Sequence, residues 1–327
     1  MSSALPLLLD VSRDGLVESH HHGSIVLLDA SGDVAVTAGV ADDAVFARSS
    51  LKPLQAVAML SAGFPGRDED LTLATASHDA EEVHVAGVRR VLAGAGLAES
   101  ALQCPPDLPA GREAMLAWVR AGGAPSPVCH NCSGKHAAML ATCVANGWDP
   151  GSYRAADHPL QDVIRSAIEV LCGAPIAASA VDGCGAPAHA VSLAGLARAF
   201  SRIATAPSGT ANALVRDAMQ AHPRLVGGSG RAVSELIAAV DGLVCKDGAE
   251  GVWGAALADG RAFAAKVDDG AARALPPLLA AALRYWGVDN ACVRRWSAVD
   301  VLGGGRPVGA VGWSPFLREL LDLDASA

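Results

Sequence analysis

Strand patterns occupy the two ends of this chain and helical periodicity fills the stretch between them. The sheet must therefore be assembled from segments far apart in sequence. Ser24-Ile25-Val26-Leu27-Leu28 and Val34-Ala35-Val36-Thr37, joined by Asp29-Ala30-Ser31-Gly32-Asp33, predict an antiparallel hairpin. Leu243-Val244-Cys245-Lys246, residues 251–257 and residues 261–267 predict a meander, with a long apolar helix over 271–286 behind it. Helices are expected over 79–94, 112–121, 135–146, 159–172, 192–205, 211–221 and 229–240, and strand signals return only after these. No Pro/Ser-rich linker and no internal repeat interrupts the chain. The expected class is α/β of the α+β kind. Residues 1–66 and 241–327 would form an antiparallel sheet sandwich flanked by helices, and residues 67–240 a mostly helical inserted domain.

With 34 acidic against 25 basic residues, a formal charge of −9 and no basic run, nucleic acid and anionic membrane are unfavourable partners. No uncharged apolar run approaches the ~18 residues needed to span a bilayer, and residues 1–10 lack a basic segment ahead of their short apolar run. The expected location is the cytoplasm. The eight cysteines, spread from Cys104 to Cys292, do not resemble a secreted disulfide framework; reduced thiols, some on a metal, are expected.

Five segments carry residues suited to chemistry. In Arg48-Ser49-Ser50-Leu51-Lys52-Pro53 the proline is tolerated only in the first turn of a helix, so the helix should open near Ser49, with Lys52 beside it on one face. A neutral lysine there would take the serine's proton; the alternative is a helix cap followed by a solvated lysine. Ala76-Ser77-His78-Asp79 places Ser77 between two helices, where it would either cap the second or act. Cys129-His130-Asn131-Cys132-Ser133-Gly134-Lys135-His136 gathers two thiols, two imidazoles and an amine just before a helix, a place that favours thiolate. Val181-Asp182-Gly183-Cys184-Gly185 adds a thiol beside a carboxylate; a site using Cys132 and Cys184 competes with plain buried cysteines. Lys246-Asp247-Gly248 ends a late strand, as a Lys-Thr-Gly strand lines the pocket of Ser-x-x-Lys hydrolases; the alternative is a turn after an edge strand. In addition, Gly227-Gly228-Ser229-Gly230-Arg231 could form an anion-binding nest of backbone amides.

Taken in order, Arg48-Ser49-x-x-Lys52-Pro53, Ala76-Ser77-His78, the Cys129–His136 octet, Asp182-Gly183-Cys184 and Lys246-x-Gly248-Ala249 resemble the bacterial L-asparaginase II-like amidohydrolases of the Rhizobium etli inducible type. The resemblance implies a fold similar to the serine β-lactamases and glutaminases. It implies two Ser-Lys tandems, Ser49 with Lys52 and Ser77 with Lys246, and a zinc site on Cys132, Lys135 and Cys184. Asp182 and His136 fall on positions that organise substrate and site in that family, with Arg48 and Asn131 adjacent candidates. A homodimer is implied as well. Lys266 on the next strand competes for the place of Lys246, which is preferred for its Lys-x-Gly context.

The expected activity is hydrolysis of L-asparagine to L-aspartate and ammonia through an acyl-enzyme, with Ser49 as nucleophile, Ser77 as polarising partner or relay, and zinc as an aid to positioning. The alternatives are a β-lactamase-like serine hydrolase of another amide and a non-catalytic zinc-binding or redox-sensing protein. The Ser-Asp-Asn element expected of the former is missing from the helical stretch.

Overall fold

The computed structural model describes residues 5–323. Its strands are β1 (Leu7–Arg13), β2 (Leu16–Leu28), β3 (Val34–Ala38), β4 (Ala44–Phe46), β5 (Ala178–Val181), β6 (Pro187–Ser192), β7 (Val244–Gly248), β8 (Val252–Ala256), β9 (Ala262–Val267), β10 (Val299–Gly303) and β11 (Arg306–Trp313). The helices used below are α1 (Lys52–Ser61), α2 (Glu69–Thr75), α3 (Glu82–Gly94), α4 (Arg112–Arg120), α5 (Ser133–Asn146), α6 (Pro159–Cys172), α7 (Leu193–Ala204), α8 (Ala211–Ala221), α9 (Pro223–Val226), α10 (Ala232–Ala239) and α11 (Leu275–Tyr285).

The main sheet runs β10-β11-β1-β2-β9-β8-β7, with β3 also paired to β2 and every pairing antiparallel. It joins the two ends of the chain, as the sequence pattern requires. The long β2 makes this junction: residues 16–22 pair with β1, residues 23–28 with β9, and residues 25–28 with β3 as well. All of β8 is buried, because α7 and α11 both lie on the central strands. That is why this strand reads as a continuous apolar run instead of an alternating one.

The sequence reading began its hairpin at Ser24, so β1, residues 16–23 of β2 and β4 are additions to it, and two further differences concern strands. β5 and β6 form a small second sheet with β4, in the order β4-β6-β5, inside the stretch expected to be helical. Every residue of β5 is exposed and its sequence, Ala-Ser-Ala-Val, has no apolar face to give a period-2 signal. β10 and β11 also escape the pattern, since β10 has no buried residue and β11 carries two glycines and a proline. Helix α7, from the helical stretch, packs on β2, β8 and β9. Among the described residues no helix is long and apolar enough to cross a membrane.

β7 is the edge of the main sheet. It meets the 3₁₀ turn Arg48–Leu51 that leads into α1, and around this meeting the α2–α3 junction, the start of α5 and the β5–β6 turn converge.

Candidate active site

The turn Arg48–Leu51 is 3₁₀, and α1 begins at Lys52 with Pro53 in its first turn. Arg48 adopts φ +51, a conformation a non-glycine residue holds only where its surroundings enforce it. The Ser50 N–H and hydroxyl both close on Ala47 O, at 3.1 and 2.5 Å. Ser49 is half-buried, and its hydroxyl makes no hydrogen bond among the described residues. Gly248 lets β7 reach this turn: a Cβ there would lie 2.7 Å from Ala47 O and 3.4 Å from the Ser49 nitrogen. Side chains alternate along a strand, so Lys246 leaves β7 on the face that Gly248 turns to Ser49.

Lys52 is not the solvated lysine of the capping alternative; it is 1% exposed. Its ammonium group donates to Ala76 O at 2.5 Å and to Ser77 Oγ at 3.0 Å. Ser77 lies in the extended segment between α2 and α3, pinned by Ser77 N–H to Val226 O (2.9 Å) and His78 N–H to Asn131 O (3.1 Å). The observed bonding thus differs from the expected tandems, joining Lys52 to Ser77 and Lys246 to Asp247.

Lys246 is fully buried and donates to the Asp247 carbonyl (2.7 Å) and to one of its carboxylate oxygens. Burial pushes Lys246 down to about 8; Asp247 opposes the change, while Lys52 and Arg231 reinforce it. Burial works against the Asp247 carboxylate, but Lys246 and Arg231 outweigh it and hold the group at about 2. Lys266, by contrast, donates to Glu250 O and Val267 O and lines a cavity of about 460 Å³ with Arg48, Phe46 and Val181.

The third cluster stands at the head of α5, where Cys132 is the N-cap residue. Lys135 Nζ donates to Cys184 Sγ at 3.2 Å, and Cys132 Sγ donates to Asn131 Oδ1 at 3.1 Å. The hydrogen bond from Cys184 pulls Cys132 well below the ordinary thiol value; burial resists, and Lys52 and Lys135 assist. Burial pushes Cys129 and Cys143 the other way, up to about 11. Burial also disfavours the Lys135 ammonium, but Cys184, Cys132 and Asp182 outweigh it and raise its pKa. His136 Nδ1 meets Tyr153 Oη at 2.6 Å, its Nε2 is buried without a partner, and burial lowers it to about 4.

Among the described residues no three His, Cys, Asp or Glu side chains converge as metal ligands, so a metal here must count the lysine as its third donor. Two thiols that meet, one drawn towards thiolate, with an amine against the other, are a soft donor set that fits zinc. The lysine must lose its proton to bind, and the orphaned His136 Nε2 borders the cluster. Asp182, in the β5–β6 turn, takes Arg48 Nε at 2.9 Å and Nη2 at 2.7 Å on one oxygen. Burial disfavours the Asp182 carboxylate, but Lys135 and Arg48 together hold it below its ordinary value, whereas Asn131 is exposed.

Three residues that the sequence reading quoted without giving them a role join the site. Arg231 Nη1 donates to Asp79 Oδ1 at 2.5 Å and Arg231 Nη2 to Asp247 Oδ2 at 3.0 Å, so Asp79, Arg231 and Asp247 link the Ser77 segment to Lys246. The only signal was the glycine-rich run ending in Arg231, read as an anion nest. Its anion is the chain's own Glu81, whose carboxylate takes the Ser229 N–H at 2.6 Å and is paired with Arg224.

A comparison with the curated proteins finds no match. Among solved structures the chain is similar to Mglu, at 15% identity and TM-score 0.42 over 76% of this chain and 61% of that one. It is similar to Mglu in its native form in the presence of 4.3 M NaCl, at 13% identity and TM-score 0.45 over 82% and 62%. A β-lactamase from Mycobacterium bovis matches at 14% identity and TM-score 0.42 over 76% and 88%. The chain thus spans about three fifths of the length of the Mglu chains. The L-asparaginase II family model matches residues 9–313, nearly the whole length and all five site segments, and the chain belongs to the L-asparaginase II family.

Proposed function

We propose that this protein is an amidohydrolase that converts L-asparagine to L-aspartate and ammonia through a serine-bound acyl intermediate. The observation that carries the reading is the buried hydrogen bond from Lys52 to Ser77, set beside a second buried lysine, Lys246, and an unbonded Ser49. Ser49 Oγ attacks the side-chain amide carbon. Its proton passes to Ser77, whose oxygen is held by Lys52, and the Ser77 proton passes to neutral Lys246, which returns it to the departing ammonia. Water then cleaves the ester by the same route in reverse. Lys52 acts on Ser49 only through Ser77. Lys246 is the base because burial and two neighbouring cations place its loss of a proton near pH 8.

Arg48 and Asp182 would orient the substrate's charged groups, with His136 and Asn131 beside them. Zinc would be held by Cys132, Lys135 and Cys184, and when bound it supplies a fixed positive charge that positions substrate. We further propose a cytoplasmic location, on the sequence features given above, and a homodimer, on the family resemblance alone.

Ammonia release from asparagine and glutamine, measured side by side, tests the reading. Trapping the acyl group and locating it by mass spectrometry tests the nucleophile: Ser49 is expected, and an ester on Ser77 would exchange the two serines' roles. A β-lactamase-like hydrolase would act on neither amide, and a zinc-binding sensor would release no ammonia at all.

A further inference from the structure

Arg231 is half-exposed, lies just before α10, and joins two carboxylates from distant parts of the chain. One is Asp79, two residues after Ser77. Asp79 is boxed in by backbone: its N–H donates to Gly227 O (2.8 Å) and its carbonyl accepts from Gly111 N–H (3.1 Å). Gly228, at φ +141, makes room for its carboxylate, since a Cβ there would stand 2.9 Å from Asp79 Oδ2. The other carboxylate is Asp247, whose remaining oxygen receives Lys246. A planar guanidinium can bridge two such groups at fixed angles, which a lysine cannot.

We propose that Arg231 is a positioning residue for the amide hydrolysis. By taking one oxygen of Asp79 and one of Asp247, it fixes Lys246 against the Ser77 segment and keeps Asp247 from locking that lysine in its ammonium form. The proposal rests on the role given to Lys246 above. The charged groups acting on Lys246 are Asp247 on its own strand, Lys52 on α1 and Arg231. Its partner strand β8 sets Gly254 opposite Lys246 and carries no charge. The other charges nearby are engaged elsewhere. Arg48 of the turn is paired with Asp182, and Arg198 and Arg202 of α7 donate to carbonyls of Cys172, Val170 and Leu171. Glu235 of α10 takes the Trp296 indole N–H.

Two opposed consequences follow for the pH dependence of kcat/KM for asparagine. In Arg231→Met, Asp247 answers to Lys246 alone, so the acidic limb moves up by about one pH unit and kcat/KM at pH 7 falls about tenfold. In Asp247→Asn, Lys246 loses its anion and the limb moves down. Arg231→Lys keeps the charge without the bridge, so the limb stays near its wild-type position while kcat falls. A merely structural Arg231 would lower activity in both Arg231 variants and leave the limb in place in both, and that result would overturn the proposal.

A readout without turnover separates this outcome from failure of the asparaginase reading. Between pH 8 and 10.5 the stability of the wild type should rise by more than that of Lys246→Met, because Lys246 binds its proton less tightly folded than unfolded. The Arg231→Met background should shrink that difference. An unchanged difference contradicts the role of Arg231 whether or not asparagine is hydrolysed.

Discussion

Lys52 Nζ sits 3.0 Å from Ser77 Oγ, although Ser49 is its neighbour in sequence and Ser77 is twenty-five residues away. The turn explains this choice. Leu51 and Lys52 are wound so that the lysine runs along the start of α1 into the interior, where Ala76 O and Ser77 Oγ are the acceptors waiting at the end of α2. The Ser49 hydroxyl is left free for a substrate. In the mechanism proposed above Ser77 is the link between the two lysines, each buried and each carried by a different element.

Removing that link should be costly for turnover and mild for folding. Ser77→Ala and Lys52→Met are each expected to lower kcat for asparagine by about 10²–10⁴ with KM little changed, because they act on proton transfer and not on substrate grip. Steady-state kinetics checks this; a pure rise in KM would place the pair in binding instead.

Lys246→Met should abolish turnover and yet raise the melting temperature at pH 7 by about 2–5 °C, since a buried ammonium is exchanged for an isosteric apolar chain. The sign follows from linkage. The folded pKa, about 8, lies below the ordinary lysine value of 10.5, so the penalty is complete below pH 8 and fades as pH rises towards 10.5. The gain from the substitution should fade across the same window in thermal melts recorded at several pH values.

Much of this site was legible because its pieces are local. Ser49-x-x-Lys52, Ser77 and the Cys129–His136 octet each present their chemistry within a few residues; the structure joins Lys52 to Ser77 and the Ser77 segment to the octet, and sets the Ser49 turn against Gly248. The sheet joining both termini was legible from strand periodicity at the two ends. The rest depended on contacts no local pattern encodes. Arg231 lies 152 residues from Asp79 and 16 from Asp247, and no local pattern pairs it with either carboxylate. Glycines at 227, 228 and 230 announced a special backbone, but only the fold shows that its amide at Ser229 is taken by Glu81. β5 was invisible because a fully exposed strand of small residues has nothing to alternate.

Gly228 offers a test of the packing around Asp79. Gly228→Ala adds a Cβ at φ +141 and 2.9 Å from Asp79 Oδ2, so we expect a loss of about 1–3 kcal/mol in chemical denaturation together with reduced kcat. Gly230→Ala is the control for strain without collision: its φ is +74 and nothing lies within 4 Å of the added Cβ.

For the thiol cluster, metal analysis of the purified wild type is expected to find zinc, and Cys184→Ser to lose it, because Cys184 carries the contact with Lys135. Zinc binding should also strengthen with pH through the proton that Lys135 must release. Absence of zinc from the wild type would remove the site, and its retention in Cys184→Ser would move it elsewhere.

The central claim is tested most directly by ammonia release from L-asparagine, with L-glutamine in parallel, by the wild type and by Ser49→Ala. The account predicts steady release from asparagine by the wild type and a drop of at least about 10³ in kcat on losing the Ser49 hydroxyl. Release from neither amide by the wild type, or undiminished turnover in Ser49→Ala, would contradict it.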